Sequence, residues 1–406
     1  MLDRNLLLLD CIRASLRRTL SQNDIRRLFG KIVNNPLAPF GKGDWDRLLS
    51  DAQSDTGPLL YHMLKEADVD GLLPEWFISK LEMAYYSSFS RSVFYYRGLR
   101  DILGSFHRSG IQVITFKGAA LAETLYPSIA LRPFGDIDLL IRDQDLFKAE
   151  SELQRLGYEK YIREFRQGYG REFEKYSAYL KRGRVTVYID LHTRLFPFAH
   201  AQKSEFDGFW DRAVATQIDG VHSLTLSAED TVLHLCVHIF RHGFPIRLLW
   251  LYDLALMILK HGRSLNWKLM EERARTLEVH GIAGFVLDQV RQTLDISLPQ
   301  GAVPWVESYE LDCVERLSSI SESSRMIWYY ALRLRSVKGA KDRLRFIMGR
   351  VFPSRDYIMW RYSISNSKLV LFGYCCHLYR IYFIFLGAAR AVSALTHKRW
   401  LSRQSA

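Results

Sequence analysis

Two aspartates one residue apart, in the run Asp136-Ile-Asp-Leu-Leu-Ile141, have the spacing of carboxylates on one face of an extended strand. Ile137 and Leu139 then turn to the opposite face and the core. Along a strand end the two carboxylates lie roughly 7 Å apart, close enough to share hard divalent cations. Asp190, in Val185-Thr-Val-Tyr-Ile-Asp-Leu-His192, lies in another strand-like run and offers a third oxygen ligand. Mg²⁺ suits such a set, with Mn²⁺ as a substitute, because it keeps several waters and takes its remaining ligands from substrate phosphates. Upstream, Ile111-Gln-Val-Ile-Thr-Phe116 followed by Lys117-Gly118 and Ala119 to Tyr126 reads as strand, tight turn and helix. Backbone N–H groups at such a helix start stabilise a polyphosphate. Carboxylates, divalent cations and a phosphate cradle converge on phosphoryl or nucleotidyl transfer. Each fragment alone is common, since D-x-D and Lys-Gly occur at many strand ends; their ordered combination carries the reading.

The elements that must hold these residues follow from the periodicity. The first hundred residues read as helices: a leucine-rich stripe from Asn5 to Leu20, a capping-box pattern at Ser21-x-x-Asp24 before Ile25 to Ile32, a helix opened by Asp44-Trp45, and a long run from Trp76 to Phe106 stopped by Ser109-Gly110. The period then shortens to that of strands around Phe116, Asp136 to Ile141 and Val185 to His192, with Tyr176 to Leu180 as a hairpin partner of the last across Arg182-Gly183. A helix from Gln144 to Leu156 intervenes, and from Ser227 onward the pattern is helical again. The expected fold is α+β, a small mixed sheet with helices, flanked by N-terminal and C-terminal helical regions. Its divisions fall at 1–108, 109–226, 227–330 and 331–406.

Composition sets the class. The chain has 406 residues, 48% hydrophobic, 13% aromatic and 25% charged, ordinary values that exclude a disordered or collagen-like chain. Its 5 cysteines include no C-x-x-C pair, which excludes a zinc ribbon and a secreted disulfide framework and fits a reducing cytoplasm. Asp3 and Asp10 bracket an apolar run too short for a signal peptide. Net charge is +12, and 331–406 carries 15 Lys and Arg against Asp342 and Asp356 alone, so the preceding 330 residues sum to −1. A neutral body with a basic tail suits a phosphate-bearing partner: nucleotide, anionic lipid or nucleic acid.

Phe116-Lys-Gly-Ala-Ala, Tyr126-Pro, Arg132-x-x-x-Asp136-Ile-Asp-Leu-Leu-Ile, Gly157-Tyr158 and Ile189-Asp-Leu-His192 resemble a bacterial nucleotidyltransferase family bearing L-K-G, R-x-x-x-D-I-D-L-L-V and D-L-H. That family belongs to the DNA polymerase beta-like nucleotidyltransferase superfamily. Asp44-Trp45, Leu248-x-Trp250-x-x-Asp253-Leu and Phe352-Pro-Ser match in the flanks, so the resemblance spans most of the chain. It implies two divalent metals, Mg²⁺ by preference, and an NTP donor such as ATP. Asp136 and Asp138 would hold both ions, and Asp190 would share the second and prepare a hydroxyl acceptor for in-line attack on the α-phosphorus. The wider superfamily places a serine after the glycine to meet the terminal phosphates, whereas Ala119 stands here; Lys117, Gly118 and Arg132 are the expected phosphate ligands. His192, two residues beyond Asp190, would border the acceptor, which is a small molecule, sugar, peptide or protein hydroxyl.

Two other functions fit parts of the pattern. One is a non-catalytic nucleotide or metal sensor on the same fold; the other is a basic nucleic-acid binder, which lacks any recognition motif here. His234, His238 and His242 fall on one helix stripe, as a polar face toward the cleft or as metal ligands. Asp253 is a buried structural carboxylate or a cleft residue. Leu369 to Ala389 is long enough to span a bilayer, yet His377 and Arg380 lie near its middle, and a central arginine costs roughly 2.5 to 3.5 kcal/mol. The alternatives are a buried helix and an amphipathic helix against an anionic membrane, at the inner face of the cytoplasm, with Lys368, Arg390, Lys398 and Arg399 around it.

Overall fold

The computed structural model of the protein describes residues 7–16, 41–52, 55–161, 164–174, 176–196, 208–243, 246–311 and 322–404. The capping box at Ser21 and the helix expected after it lie outside these residues. Among the described residues, four α-helices, α1 (Leu7–Leu16), α2 (Lys42–Ala52), α3 (Gly57–Glu66) and the long α4 (Glu75–Arg108), precede the sheet. Strand β1 (Val113–Phe116) runs into α5 (Lys117–Leu125), and β2 (Ile137–Ile141) is followed by α6 (Leu146–Arg155). Then come β3 (Glu159–Lys160), β4 (Tyr176–Lys181), β5 (Val187–His192), β6 (Val214–Ile218) and β7 (Val221–Thr225). The seven strands form one mixed sheet in the order β3-β4-β5-β2-β1-β7-β6. The fold is therefore the α+β arrangement expected, with three strands that the sequence reading did not place: the short β3, and β6 and β7 beyond β5.

β6 and β7 form a hairpin. Asp219 and Gly220 both have positive φ, the geometry of a type I′ turn and a common use of Asp-Gly. β7 then pairs parallel with β1, Ile114 opposite Leu224, and buried Thr115 and Ser223 share a side-chain hydrogen bond of 3.0 Å across that seam.

Strand alternation sorts the central strands into two faces. Ile137, Leu139, Ile141, Ile189 and Leu191 pack with Leu99, Ile102 and Phe106 of α4 and with Leu146 and Leu153 of α6. The other face belongs to Phe116, Asp138, Asp190 and His192, and is covered by α7 (Ala228–His242) and α8 (Leu248–His261). α7 is capped by Ser227, whose side chain accepts a hydrogen bond from the Asp230 backbone N–H. The helices continue as α9 (Trp267–Thr276), α10 (His280–Leu294) and α11 (Val303–Ser308). Their core is continuous with that of α1 to α3: Cys11, Trp45 and Leu60 belong to one cluster with Leu254, Ile282 and Trp305.

A last layer comprises α12 (Glu322–Ser336), α13 (Ala340–Val351), α14 (Arg355–Arg361) and α15 (Val370–Gln404). α15 is seated through Gly373, Gly387 and His377. A Cβ on Gly373 would stand 2.5 Å from Ile358, and one on Gly387 2.5 Å from Ser323. Only glycine allows so close an approach. His377 is 5% exposed, with its Nδ1 3.2 Å from the Tyr362 hydroxyl and its Nε2 2.7 Å from the Arg350 carbonyl. Of the two polar residues that interrupt the apolar run, His377 is turned inward while Arg380 stays exposed, and apolar residues are turned out as well: Leu371 is 76% and Phe372 66% exposed. Ser367–Gly387, with a mean hydropathy of 1.7, is the one helical stretch among the described residues long and apolar enough to cross a membrane, and 11% of its most apolar window is buried.

Candidate active site

Register brings the acids together. β2 and β5 pair in parallel with Asp138 opposite Asp190, while Phe116 at the end of β1 lies opposite Asp138 on the other side. Asp138, Asp190 and His192 each bring one ligand atom within 4.8 Å of the others, the one such trio of potential metal ligands among the described residues. Asp136 immediately precedes β2 and lines the same cleft, outside that trio. His192 stands against the acids, its Nε2 3.0 Å from Asp138 Oδ1. The spacing D-x-H on β5, which puts Asp190 and His192 on one strand face, already carried that signal.

Lys117 opens α5 with φ of +51°, a left-handed conformation costly for a residue with a Cβ and common where a site imposes it. Its ammonium donates to Asp138 Oδ1 at 2.6 Å. Gly118 follows in a slot where a Cβ would lie 2.6 Å from Phe134 and 2.9 Å from Arg132. α4 fixes the chain around this slot. The Tyr95 hydroxyl donates to the Gly135 carbonyl and the Tyr96 hydroxyl to the Ala119 carbonyl, each at 2.7 Å, and both rings pack edge-on against Phe134. These two tyrosines escaped the sequence reading, where they were only part of an apolar helix stripe.

Arg132 is buried, and its Nε and Nη2 donate to Asp253, the latter at 2.8 Å. Asp253, on α8, is 0% exposed and also accepts from the Tyr126 hydroxyl at 2.6 Å. Of the two roles open to Asp253, the structure shows the buried partner. Arg132 borders the cleft with its remaining nitrogen, Nη1, above Gly118. His234, His238 and His242 line the cleft as a row, with Trp250 packed against the last two at 4.8 and 5.2 Å between ring centroids. Neither ring nitrogen of His234 has a hydrogen-bond partner among the described residues.

The electrostatics divide the carboxylates. Burial would raise Asp138, but the Lys117 ammonium and the hydrogen bond from His192 outweigh it and hold the carboxyl far below the ordinary range. Burial and the charge of Asp138 push Asp136 up to about 6. Burial and the charges of Asp138 and Asp136 push Asp190 up to about 8. Burial lowers His192, His234 and His238, and it pushes His242 down to about 4, so this face is neutral at pH 7. Acids that resist ionising together fit a bound cation, which would relieve their repulsion. Two carboxylates with an imidazole beside them accommodate Mg²⁺ through oxygen and Mn²⁺ through either atom type. The cleft itself encloses about 660 Å³.

These features are those of a nucleotidyltransferase-like protein, and a family comparison agrees. The chain belongs to the family described as uncharacterised nucleotidyltransferases, whose model matches residues 41–295, more than half its length. Among solved structures it is similar to an antigenic nucleotidyltransferase-like protein from Paracoccidioides brasiliensis, at 15% identity and a TM-score of 0.33, over 52% of this chain and 95% of that one. No curated protein matches the chain.

Proposed function

We propose that the protein is a metal-dependent nucleotidyltransferase that moves NMP from an NTP to a hydroxyl acceptor. The observation that carries this is the register of Asp138 opposite Asp190, with Lys117 and the start of α5 at the same strand ends. Asp138 and Asp190, with Asp136 at the cleft edge, would hold Mg²⁺ or Mn²⁺, which when bound neutralises phosphate charge and orients the triphosphate. Lys117 and the backbone N–H groups at the start of α5 bind the terminal phosphates. Arg132 contributes through Nη1 alone, its other nitrogens being committed to Asp253. The acceptor oxygen forms a bond to the α-phosphorus while the bond from that phosphorus to the pyrophosphate oxygen breaks. Asp190 takes the hydroxyl proton, its carboxylate being the one aligned with Asp138 across the β2–β5 register. His192 Nε2 donates to the Asp138 carboxylate and holds it for donor binding. Free thiols and an NTP donor fit a cytoplasmic reaction.

Calorimetry with ATP in Mg²⁺ and in EDTA, together with pyrophosphate release in the presence of a cell-extract acceptor pool, tests the proposal. Metal-dependent binding at about one site per chain and NTP-dependent pyrophosphate release are expected. Binding that is equal with and without metal, or binding that never leads to pyrophosphate with any acceptor pool, would refute it, the second outcome favouring a nucleotide sensor.

A further inference from the structure

Beside the cleft lies a second cavity of about 640 Å³, between β4, α12, α13, α14 and α15. Its size falls within the roughly 300–1,000 Å³ of small-molecule sites, and its walls are mainly apolar: Phe165, Tyr330, Leu334, Phe346, Ile381 and Ile384 stand among them. Glu174 and Tyr176 line both this cavity and the cleft, so the two spaces share a wall at these residues. Glu174 is ion-paired with Arg350, and the Tyr176 ring packs against His192 at 5.5 Å. Exposed Arg361 and Arg380 also line the cavity, an environment complementary to an anionic group.

We propose that this cavity binds the hydrocarbon chain of an anionic amphiphile, whose hydroxyl-bearing head passes Glu174 and Tyr176 to become the acceptor in the cleft. The inference rests on the nucleotidyl-transfer reading for the word acceptor, and on the cavity alone for the lipid. The chain is drawn in by removal of apolar surface from water. The head hydroxyl is the oxygen that bonds to the α-phosphorus, pyrophosphate leaves, and the proton passes to Asp190 as above. A chain-bearing acceptor would also account for the apolar wall that α15 presents beside a polar active site.

The test uses the full-length protein and 1-palmitoyl lysophosphatidylglycerol below its micelle concentration, read by calorimetry, with Mg²⁺-dependent ATP binding measured on the same samples. Ile381→Asp with Ile384→Asp places charge on the cavity wall, and Ile347→Glu does so from an exposed lining position. Both should weaken lysolipid binding at least tenfold and leave ATP binding unchanged. Leu371→Asp with Phe372→Asp, outside the cavity, should leave both unchanged. Absence of lysolipid binding by the unaltered protein, or its persistence in both cavity variants, overturns the proposal while ATP binding keeps the nucleotidyl-transfer reading standing. Loss confined to the Leu371 and Phe372 variant assigns α15 to a membrane surface and also overturns it. Cavity-dependent lysolipid binding without any ATP binding overturns the acceptor role and the transferase reading together.

Discussion

The candidate active-site cleft and the C-terminal layer violate opposite rules of stable folding. In the cleft, Asp136, Asp138 and Asp190 crowd like charges at the ends of β2 and β5 and leave two of them reluctant to ionise. In the C-terminal layer, α15 turns its polar His377 inward and leaves Leu371, Phe372, Tyr379 and Phe385 to water. The first region strains the protein with charge and the second with apolar surface. Elsewhere local pattern and burial agree, as in the sheet face built from Ile137, Leu139 and Ile189. Departures of this kind concentrate where a partner completes the environment. A cation would complete the first, and hydrocarbon the second.

That contrast can be broken by substitution, beginning with the cleft. Asp138→Asn should lower transfer at least about 10³-fold, comparable to removing a preorganised electrostatic stabiliser, with the circular dichroism spectrum unchanged; near-normal turnover would remove Asp138 from the chemistry. Arg132→Met should cost about 3 to 5 kcal/mol in urea unfolding, because it leaves Asp253 charged and buried without its partner. An Arg132→Met, Asp253→Leu pair should recover most of that loss, which separates the ion pair from simple packing.

Asp190→Asn sharpens the comparison by relieving strain where function suffers. The variant should bind ATP with Mg²⁺ yet lose turnover, and without metal it should melt a few degrees higher, where about 1 kcal/mol corresponds to roughly 2–4 °C in chains somewhat smaller than this. The sign follows from linkage: Asp190 has a folded-state pKa of about 8, well above the roughly 3.9 of an unfolded aspartate. The folded state therefore binds the extra proton between these limits, and stability falls as pH rises from about 4 to about 8. The gain from asparagine should be small near pH 4 and largest above pH 8. Scanning calorimetry in EDTA across that range measures it, and a gain that shrinks toward pH 8 would contradict the assigned shift. The smallest effect belongs to the outer face of α15, where Leu371→Lys with Phe372→Lys should change stability by less than about 0.5 kcal/mol per site, the usual range for exposed positions.

How much of this was legible in the sequence depended on whether a feature was local. Strand alternation placed Asp136 and Asp138 on one face and Ile137 and Leu139 on the other, because a period of two needs only neighbouring residues; that Asp190 stands opposite Asp138 comes from the register of β2 with β5, which is not local. The strand-turn-helix at Phe116-Lys117-Gly118 was equally plain. The partner of Arg132 was not, since Asp253 lies far along the chain and only the packing of α8 against the sheet brings them together. Tyr95 and Tyr96 were hidden because a hydroxyl aimed at a distant carbonyl looks like any aromatic on an apolar stripe. The β6–β7 hairpin carried a local sign, Asp219-Gly220, but its strands are poor in buried apolar residues, with Val214 half exposed at the sheet edge. For α15 the sequence allowed three readings, and the direction in which His377 points could come only from the surrounding layer.

The buried triad of Tyr126, Arg132 and Asp253 has a practical consequence for anyone wishing to shorten the protein. A fragment ending with β7 would retain every residue of the metal-ligand trio and every strand of the sheet. It would also strand a guanidinium in an apolar setting without its counter-ion and strip the sheet of α7 and α8, whose side chains cover Phe116 and Leu140. Such a fragment should collapse or aggregate on expression, whereas truncation beyond α11 removes none of these supports. The potential metal ligands belong to the sheet, but their scaffold extends at least through α8.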